Sequence, residues 1–402
     1  MSAVLPAPRA APGSLAPFGA LSFAYFASIG LFNPYAPLWF QSLGFSTFAI
    51  GVIASLQAWT RVVVPYGWSW LGDHWQHGAR RDTLMRVATG LALLIALGLL
   101  WARGLTTVTL IVVLRFMANG AFVPLAEAAL AQRLATAQGL DVGRYGRVRV
   151  WGSIGFIVSV SAFGVILQAT GIGALPVFTV LVFAALAAAA WRLPGQGAST
   201  AAAQTVPSGG VWAVLRRPAV AWFFGGVFLT VLAHTSLYVF LSLYLVGLGY
   251  GKTAVGALWA VAVVGEIVFF WTQGHWFSRW SAQTWLVIAA AVCIVRFGAM
   301  AAFGAFTLVL IAAQSLHAVT FAAQHVACIA LIDRHFAGAL RGRGQALYTT
   351  LGYGVSGVLG GLAGGAVSER WGLPAVFAAA SLVSVAALGC CWRALRADQA
   401  AN

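Results

Sequence analysis

The sequence predicts an all-α membrane protein of twelve transmembrane helices, arranged as two pseudo-symmetric six-helix bundles. Of its 402 residues, 61% are hydrophobic and only 8% are charged, which is too little charge to cover the surface of a soluble protein. Apolar runs of about 20 residues, the length that crosses a bilayer core, recur along the whole chain. Short loops take up the remaining length, so no large domain outside the membrane is expected.

The apolar runs divide the chain into two halves. They predict spans at 17–40, 47–71, 83–102, 105–130, 150–169, 173–191, 218–246, 253–277, 283–303, 305–331, 346–367 and 373–392. A polar stretch rich in Gly, Ser and Thr runs from Leu193 to Val211, after span six. We therefore expect the following parts: a disordered cytoplasmic N-terminus (1–16), a six-helix bundle (17–192), a central cytoplasmic loop (193–216), a second six-helix bundle (217–393) and a cytoplasmic tail (394–402).

A short internal repeat supports this division. The segment Gly44–Gly51 (GFSTFAIG) resembles Gly249–Gly256 (GYGKTAVG), and each opens the second span of its half. Ten residues after the last glycine of each segment lie Arg61 and Glu266, respectively. Parallel halves around a cavity near the bilayer midplane are typical of secondary transporters.

The positive charges predict the orientation. The net charge is +15, but the arginines lie in alternate loops rather than on one basic face, so nucleic acid is not expected as a partner. Of the 23 basic residues, three lie inside spans and three in outer loops, which leaves seventeen on the inner side. The three in outer loops are Arg103, Lys252 and Arg370. This bias predicts a multi-pass protein of the cell inner (plasma) membrane with both termini in the cytoplasm.

The sequence contains no pattern that indicates an enzyme, a metal site or a cofactor. The four cysteines lie in apolar runs without metal-ligand spacing, and His74 and His77 have no third ligand nearby. We find no nucleophile elbow, phosphate loop or metalloprotease motif. The expected partners are a small-molecule substrate, protons and the lipid bilayer, and the chain is expected to be monomeric.

Six ionisable residues lie inside or at the edge of spans. They are Arg61, Arg115, Glu127, Arg149, Glu266 and Arg296. Each costs about 2.5–3.5 kcal/mol at a helix centre, so each needs a partner or a water-filled cavity. They could simply pair with one another and hold the bundle together, which is the interpretation we favour for Arg115. Four Arg and two Glu nevertheless leave an excess of two positive charges, which favours an anionic ligand such as a carboxylate.

Two contacts are predicted from helix depth. Glu127 and Arg149 lie at matching depths in neighbouring spans and are expected to meet at the central cavity. Glu266 lies near the middle of span eight, where a carboxylate must be protonated, paired or hydrated; its expected partners are Arg296 and His317. His317 and His325 both lie in span ten. Each could carry a proton, or could simply be a hydrogen-bonded residue of the helix core.

Several segments resemble known transporter families. Leu71-Gly72-Asp73, followed by Arg80-Arg81, resembles the loop motif of the major facilitator superfamily, although Ser69 replaces its first glycine and two extra residues precede the Arg pair. The resemblance implies alternating access, with Asp73, Arg80 and Arg81 in a gating loop. A closer similarity is to the phenylpropionate permease family. The segments that carry it are 28–34, 124–128, 146–153, 264–269, 295–298 and 316–317.

The related lactose permease family implies roles for individual residues. By that resemblance, Glu127 and Arg149 hold substrate and Phe156 takes the place of a Trp that stacks on it. The proton-coupling candidates are Glu266, Arg296 and His317. Thr320 and Gln314 stand where the relative has a proton-carrying Glu and a Lys, so Glu266 is the best remaining carrier, with Glu127 second.

These observations together predict a proton-coupled symporter of a small organic solute. An aromatic monocarboxylate of the phenylpropionate type is the leading substrate. The alternatives are a proton-linked sugar or nucleoside symporter and a drug efflux pump. A channel is not favoured, because it would need a repeated pore-lining element that we do not find in the sequence. The substrate-binding candidates are Asn33, Arg61, Glu127, Arg149 and Phe156.

Overall fold

The computed structural model describes residues 15–74, 81–120, 122–136, 139–194 and 210–400. Its helices are α1 (Ala16–Ser42), α2 (Thr47–His74), α3 (Arg81–Leu97), α4 (Leu105–Asn119), α5 (Phe122–Arg133), α6 (Val142–Thr170), α7 (Leu175–Trp191), α8 (Gly210–Leu215), α9 (Pro218–Gly247), α10 (Lys252–Thr272), α11 (Ala282–Phe303), α12 (Thr307–Ser315), α13 (Gln324–His335), α14 (Arg341–Leu347), α15 (Ser356–Trp371) and α16 (Leu373–Gln399). A two-residue ladder pairs β1 (Ala135–Thr136) with β2 (Gly139–Leu140). Residues 1–14 of the predicted N-terminal segment and 195–209 of the predicted central loop lie outside the described ranges.

The predicted twelve-span fold is confirmed. In the described ranges, eleven helical segments are long and apolar enough to cross a membrane, and α4 is a shorter apolar helix. The fourth span consists of α4 and α5, and the tenth and eleventh contain π-helical turns at Ala318–Ala323 and Tyr348–Val355. Among the fully described connections, residues 43–46, 248–251 and 304–306 form short turns, so the spans that they join run in opposite directions. We call the face where α1 begins and α16 ends the terminal face, and the opposite one the distal face.

The turns on the distal face show the internal symmetry directly. Gly44 and Gly249 have φ angles of 84° and 90°, and Gly171 and Gly372 have φ angles of 85° and 82°. Each pair occupies the same turn in the two halves, after the first span or after the fifth span. Such positive φ angles favour glycine, which has no Cβ to clash with the backbone. The repeat seen around Gly44 and Gly249 therefore extends to a second pair of turns.

Near the distal face the two halves approach each other backbone to backbone. A Cβ on Gly51 of α2 would clash with the carbonyl of Gly361 in α15, and a Cβ on Gly256 of α10 would clash with the carbonyl of Val160 in α6. Small residues allow this close packing of membrane helices. The α2–α15 and α6–α10 contacts are equivalent under the pseudo-twofold symmetry.

Two side chains complete this distal closure. Glu369, near the end of α15, accepts hydrogen bonds from the Ser46 hydroxyl and the Phe48 amide, both at 3.2 Å. Gln168, near the end of α6, accepts one from the Lys252 amide at 2.7 Å through Oε1. Each side chain thus caps the first turn of a helix in the other half, satisfying backbone N–H groups that have no partner within their own helix.

Candidate substrate and proton-coupling site

The structure places Glu127 of α5 beside Arg149 of α6. The Arg149 Nε lies 3.8 Å from Glu127 Oε1, and the two side chains are 46% and 38% exposed. Arg149 lies two turns inside α6, whereas the sequence suggested that it opens the span. The helix begins at Val142 because Asp141 caps it, accepting a hydrogen bond from the Arg144 amide at 3.0 Å.

Tyr145 holds Glu127 from the other side, and sequence reasoning missed it. Its hydroxyl donates to Glu127 Oε2 at 2.5 Å. Tyr145 precedes Arg149 by four residues, a spacing that puts both on one face of the helix and that could have identified it. The Arg149 guanidinium lies 4.6 Å from the centre of the Phe26 ring. Within the described residues, its terminal nitrogens make no hydrogen bond.

Aromatic side chains line the cavity around this pair. Phe18, Tyr25, Phe26 and Phe122 line it together with Glu127 and Arg149. The rings of Tyr25 and Phe122 stack with their centres 4.1 Å apart. The cavity therefore combines an apolar aromatic wall with an incompletely paired guanidinium.

A second polar cluster lies in the other half, centred on His317. Its Nε2 is 3.0 Å from Glu266 Oε1, and its Nδ1 is 2.9 Å from an Arg296 terminal nitrogen. His317 is 4% exposed, Arg296 is fully buried and the Glu266 side chain is 19% exposed. The imidazole thus separates Glu266 from Arg296, which the sequence had suggested as a direct partner.

Arg296 is held by the two positions at which the chain departs from lactose permease. It donates to the Thr320 hydroxyl at 2.8 Å and to Gln314 Oε1 at 2.7 Å. Sequence reasoning also missed His234 of α9, whose Nε2 lies 3.2 Å from the Thr320 hydroxyl. A single histidine in an apolar helix gives no indication of this partner.

The two uncompensated positive charges belong to Arg61 and Arg115. Arg61 is exposed and makes no hydrogen bond or ion pair within the described ranges. Arg115 is 2% exposed, and its guanidinium lies 3.8, 4.3 and 5.0 Å from the rings of Phe32, Phe116 and Phe183. Among the described residues, its Nε and one terminal nitrogen have no hydrogen-bond partner. Aromatic faces, rather than an acidic side chain, therefore compensate Arg115.

The remaining candidates have other neighbours or lie partly outside the described residues. Phe156 packs against Trp259 of α10, with ring centres 6.4 Å apart, and Asn33 is half-buried. Among the gating-loop candidates, Asp73 lies near the end of α2 and Arg81 is the first residue of α3, but neither side chain is described. Arg80 lies outside the described residues. His325 contacts the Tyr348 hydroxyl through Nδ1 at 2.9 Å.

Comparison with known proteins identifies the family. The profile of the MFS_1-like family matches residues 18–379. The chain belongs to this family. It is 30% identical over 339 residues to the probable 3-phenylpropionic acid transporter of Escherichia coli K12, which covers 83% of this chain and 86% of that one. It is 27% identical over 376 residues to the maltose permease of Geobacillus stearothermophilus, covering 90% of each chain.

Solved structures of major facilitator transporters share the fold. The nucleoside transporter NupG superposes with a TM-score of 0.77 at 17% identity, covering 94% of this chain and 98% of that one. A bacterial homolog of the human lysosomal transporter Spinster, in an inward-facing and unoccupied conformation, gives a TM-score of 0.71 at 14% identity and covers 95% and 96%. Together with the family match and the relative at 30% identity, this fold makes the protein a multi-pass major facilitator transporter and not an enzyme.

Proposed function

We propose that this transporter is a proton-coupled symporter of an aromatic monocarboxylate of the phenylpropionate type, working by alternating access. The observation that carries the proposal is the loosely paired guanidinium of Arg149, which lines the aromatic cavity. Arg61, whose guanidinium makes no ion pair among the described residues, is the second cation that we assign to the substrate. A carboxylate would accept paired hydrogen bonds from a guanidinium, and an aromatic ring would pack on Tyr25, Phe26 and Phe122.

The family relationship supports the same substrate class. The relative at 30% identity, which spans most of the chain, is named as a probable 3-phenylpropionic acid transporter. Proton coupling is the part of the proposal that rests on Glu266, the carboxylate deepest in the second half. A proton taken up there would neutralise the negative charge that faces His317 and allow the halves to move with substrate bound.

The charge bias of the loops supports an inner-membrane location with cytoplasmic termini. The terminal face would then be cytoplasmic and the distal face would lie outside. Because the distal contacts hold α2 against α15 and α6 against α10, the described state would give access from the cytoplasm.

Uptake into proteoliposomes tests the proposal. Labelled 3-phenylpropionate should accumulate when the interior is made alkaline, and an uncoupler should abolish the accumulation. Unlabelled benzoate-like and phenylalkanoate anions should compete, whereas maltose and uridine should not. Accumulation of a sugar or nucleoside without competition by carboxylates would replace the proposal with the alternative symporter class, and proton-driven expulsion of an apolar cation would favour efflux.

A further inference from the structure

The hydrogen bonds around His317 are compatible with only one protonation state of its ring. A guanidinium has N–H donors and no acceptor, so the Nδ1 atom that faces Arg296 at 2.9 Å must be an unprotonated acceptor. The ring proton must then lie on Nε2, where it is donated to Glu266 Oε1 at 3.0 Å. The ring is therefore neutral and is oriented by its two partners.

A second proton on the ring would have no acceptor. It would have to bind Nδ1, directly against a terminal N–H of Arg296, which adds a donor–donor contact to the repulsion of two buried cations. The other groups whose rings face His317 are Phe321, His234 and Tyr238, with centres 5.1, 5.8 and 6.3 Å away, and none is an anion. Glu266 is the acidic group that faces the ring.

Arg296 cannot easily withdraw from this position. One terminal nitrogen donates to both His317 and Thr320, and the other donates to Gln314. The guanidinium is fully buried, so water does not offer replacement acceptors.

His234 determines the direction of the Thr320 hydroxyl. Its Nδ1 lies 2.8 Å from the carbonyl oxygen of Thr230, which can only accept, so Nδ1 carries the proton and Nε2 is an acceptor. The Thr320 hydroxyl therefore donates its single proton to His234, at 3.2 Å, and presents its lone pairs to Arg296. Every donor therefore faces an acceptor along the chain of hydrogen bonds that runs from His234 through Thr320, Arg296 and His317 to Glu266.

We propose that His317 is a permanently neutral positioning residue and that His234 and Thr320 are positioning residues that keep Arg296 against it. This inference rests on the proposed proton coupling. The coupled proton then binds a Glu266 carboxylate oxygen, forming an O–H bond there, while the His317 Nε2–H remains in place and no proton passes through the imidazole.

Replacing His317 by asparagine or glutamine tests its role. Either amide offers an oxygen to Arg296 and an N–H to Glu266 but cannot carry a proton between them. At least one of the two variants should retain pH-driven accumulation within about tenfold of wild type, whereas His317→Leu should lose it. If both amide variants exchange substrate at the wild-type rate but no longer accumulate it, His317 carries the proton and the inference is overturned. Failure of the wild-type protein to accumulate substrate would instead refute the proposed coupling.

Nitrogen NMR of the wild-type protein provides a test that does not depend on transport. With ¹⁵N-labelled histidine, His317 should show the pattern of a neutral ring protonated at Nε2 throughout pH 5–8, assigned by loss of the signal in His317→Asn. An imidazolium pattern at any pH in this range would overturn the proposal.

Thr320 offers a matched pair of variants for the positioning role. Thr320→Ser keeps the hydroxyl between His234 and Arg296, and Thr320→Val removes it at similar volume. The serine variant should keep the wild-type ratio of protons to substrate, and the valine variant should lower that ratio while exchange continues. Equal ratios in both variants would exclude the positioning role.

Discussion

Gln168 and Glu369 perform the same structural task in opposite halves of the molecule. Each lies three residues before a glycine with positive φ, Gly171 or Gly372, and each caps the first turn of a helix in the other half. The two contacts are related by the internal symmetry, so neither half closes the distal face alone.

Removing both caps should shift the protein towards a conformation that is open at the distal face. Gln168→Ala with Glu369→Ala removes three hydrogen bonds of about 0.5–1.5 kcal/mol each, so the closed-to-open ratio should change by about tenfold or more. Labelling of a cysteine at Asn33 by an impermeant maleimide from the distal side should accelerate accordingly. Thr170→Ala is the control, since its hydroxyl bonds within its own helix at Ile166. Equal labelling rates in all variants would show that the two caps do not keep the distal face closed.

Glu266→Gln should separate exchange from accumulation. The amide can still accept the His317 N–H but cannot gain or lose a proton. Accumulation driven by a pH gradient should disappear, and exchange of labelled for unlabelled substrate should continue at a rate within about tenfold of wild type. Normal pH-driven accumulation in this variant would transfer the coupling role to Glu127 or exclude coupling through this half.

Arg61→Gln should weaken binding of the carboxylate group specifically. Loss of a hydrogen bond to a charged group costs about 1.5–3 kcal/mol, so the KM for 3-phenylpropionate should rise by about ten- to a hundredfold. Inhibition by the corresponding neutral amide should change little, which identifies the charge as the recognised feature. Arg103→Gln is a suitable control, because Arg103 bonds its neighbouring carbonyl at Ala102. An unchanged KM would remove Arg61 from the binding site.

Tyr145→Phe should strengthen the competition between Glu127 and the substrate for Arg149. Without the Tyr145 hydroxyl, both Glu127 oxygens are free to pair with the guanidinium. A change of about 0.5–1.5 kcal/mol predicts a rise in KM of roughly two- to tenfold. In a double-mutant cycle with Glu127→Gln the effect of Tyr145→Phe should largely vanish. Purely additive effects would contradict this interpretation.

Topology can be checked by labelling single cysteines from each side of the membrane. Three positions should react from outside, namely Ser46, Gly171 and Gly304, and three from inside, namely Gly78, Ser208 and Gly338. Gly78 and Ser208 lie outside the described residues, so their prediction rests on the charge bias alone. Reversed labelling would overturn the orientation.

Hydropathy predicted the spans because the length and polarity of a membrane helix are properties of a continuous stretch of sequence. The repeat around Gly44 and Gly249 was visible for the same reason. The Glu127–Arg149 approach followed from matched depth along neighbouring helices. The early start of α6 was missed because a single capping residue, Asp141, sets it.

The hydrogen-bond partners could not be predicted in the same way. His234 meets Thr320 across 86 residues, and Gln168 meets Lys252 across 84, so both contacts depend on helix rotation and packing. Counting charges predicted an excess of two positive charges but not its location. Only the three-dimensional arrangement shows that Arg115 is enclosed by aromatic rings and that Arg61 is left open.

The open guanidinium of Arg61 has an electrical consequence. Under the proposed function, a bound monocarboxylate would cancel its charge, and one proton on Glu266 would balance the charge that the anion brings into the carrier. A cycle of one anion and one proton would therefore move no net charge, and the membrane potential, worth about 2.3 kcal/mol per charge at 100 mV, would not drive it. Accumulation would then follow the pH difference alone and would be unchanged when potassium and valinomycin clamp the voltage at zero.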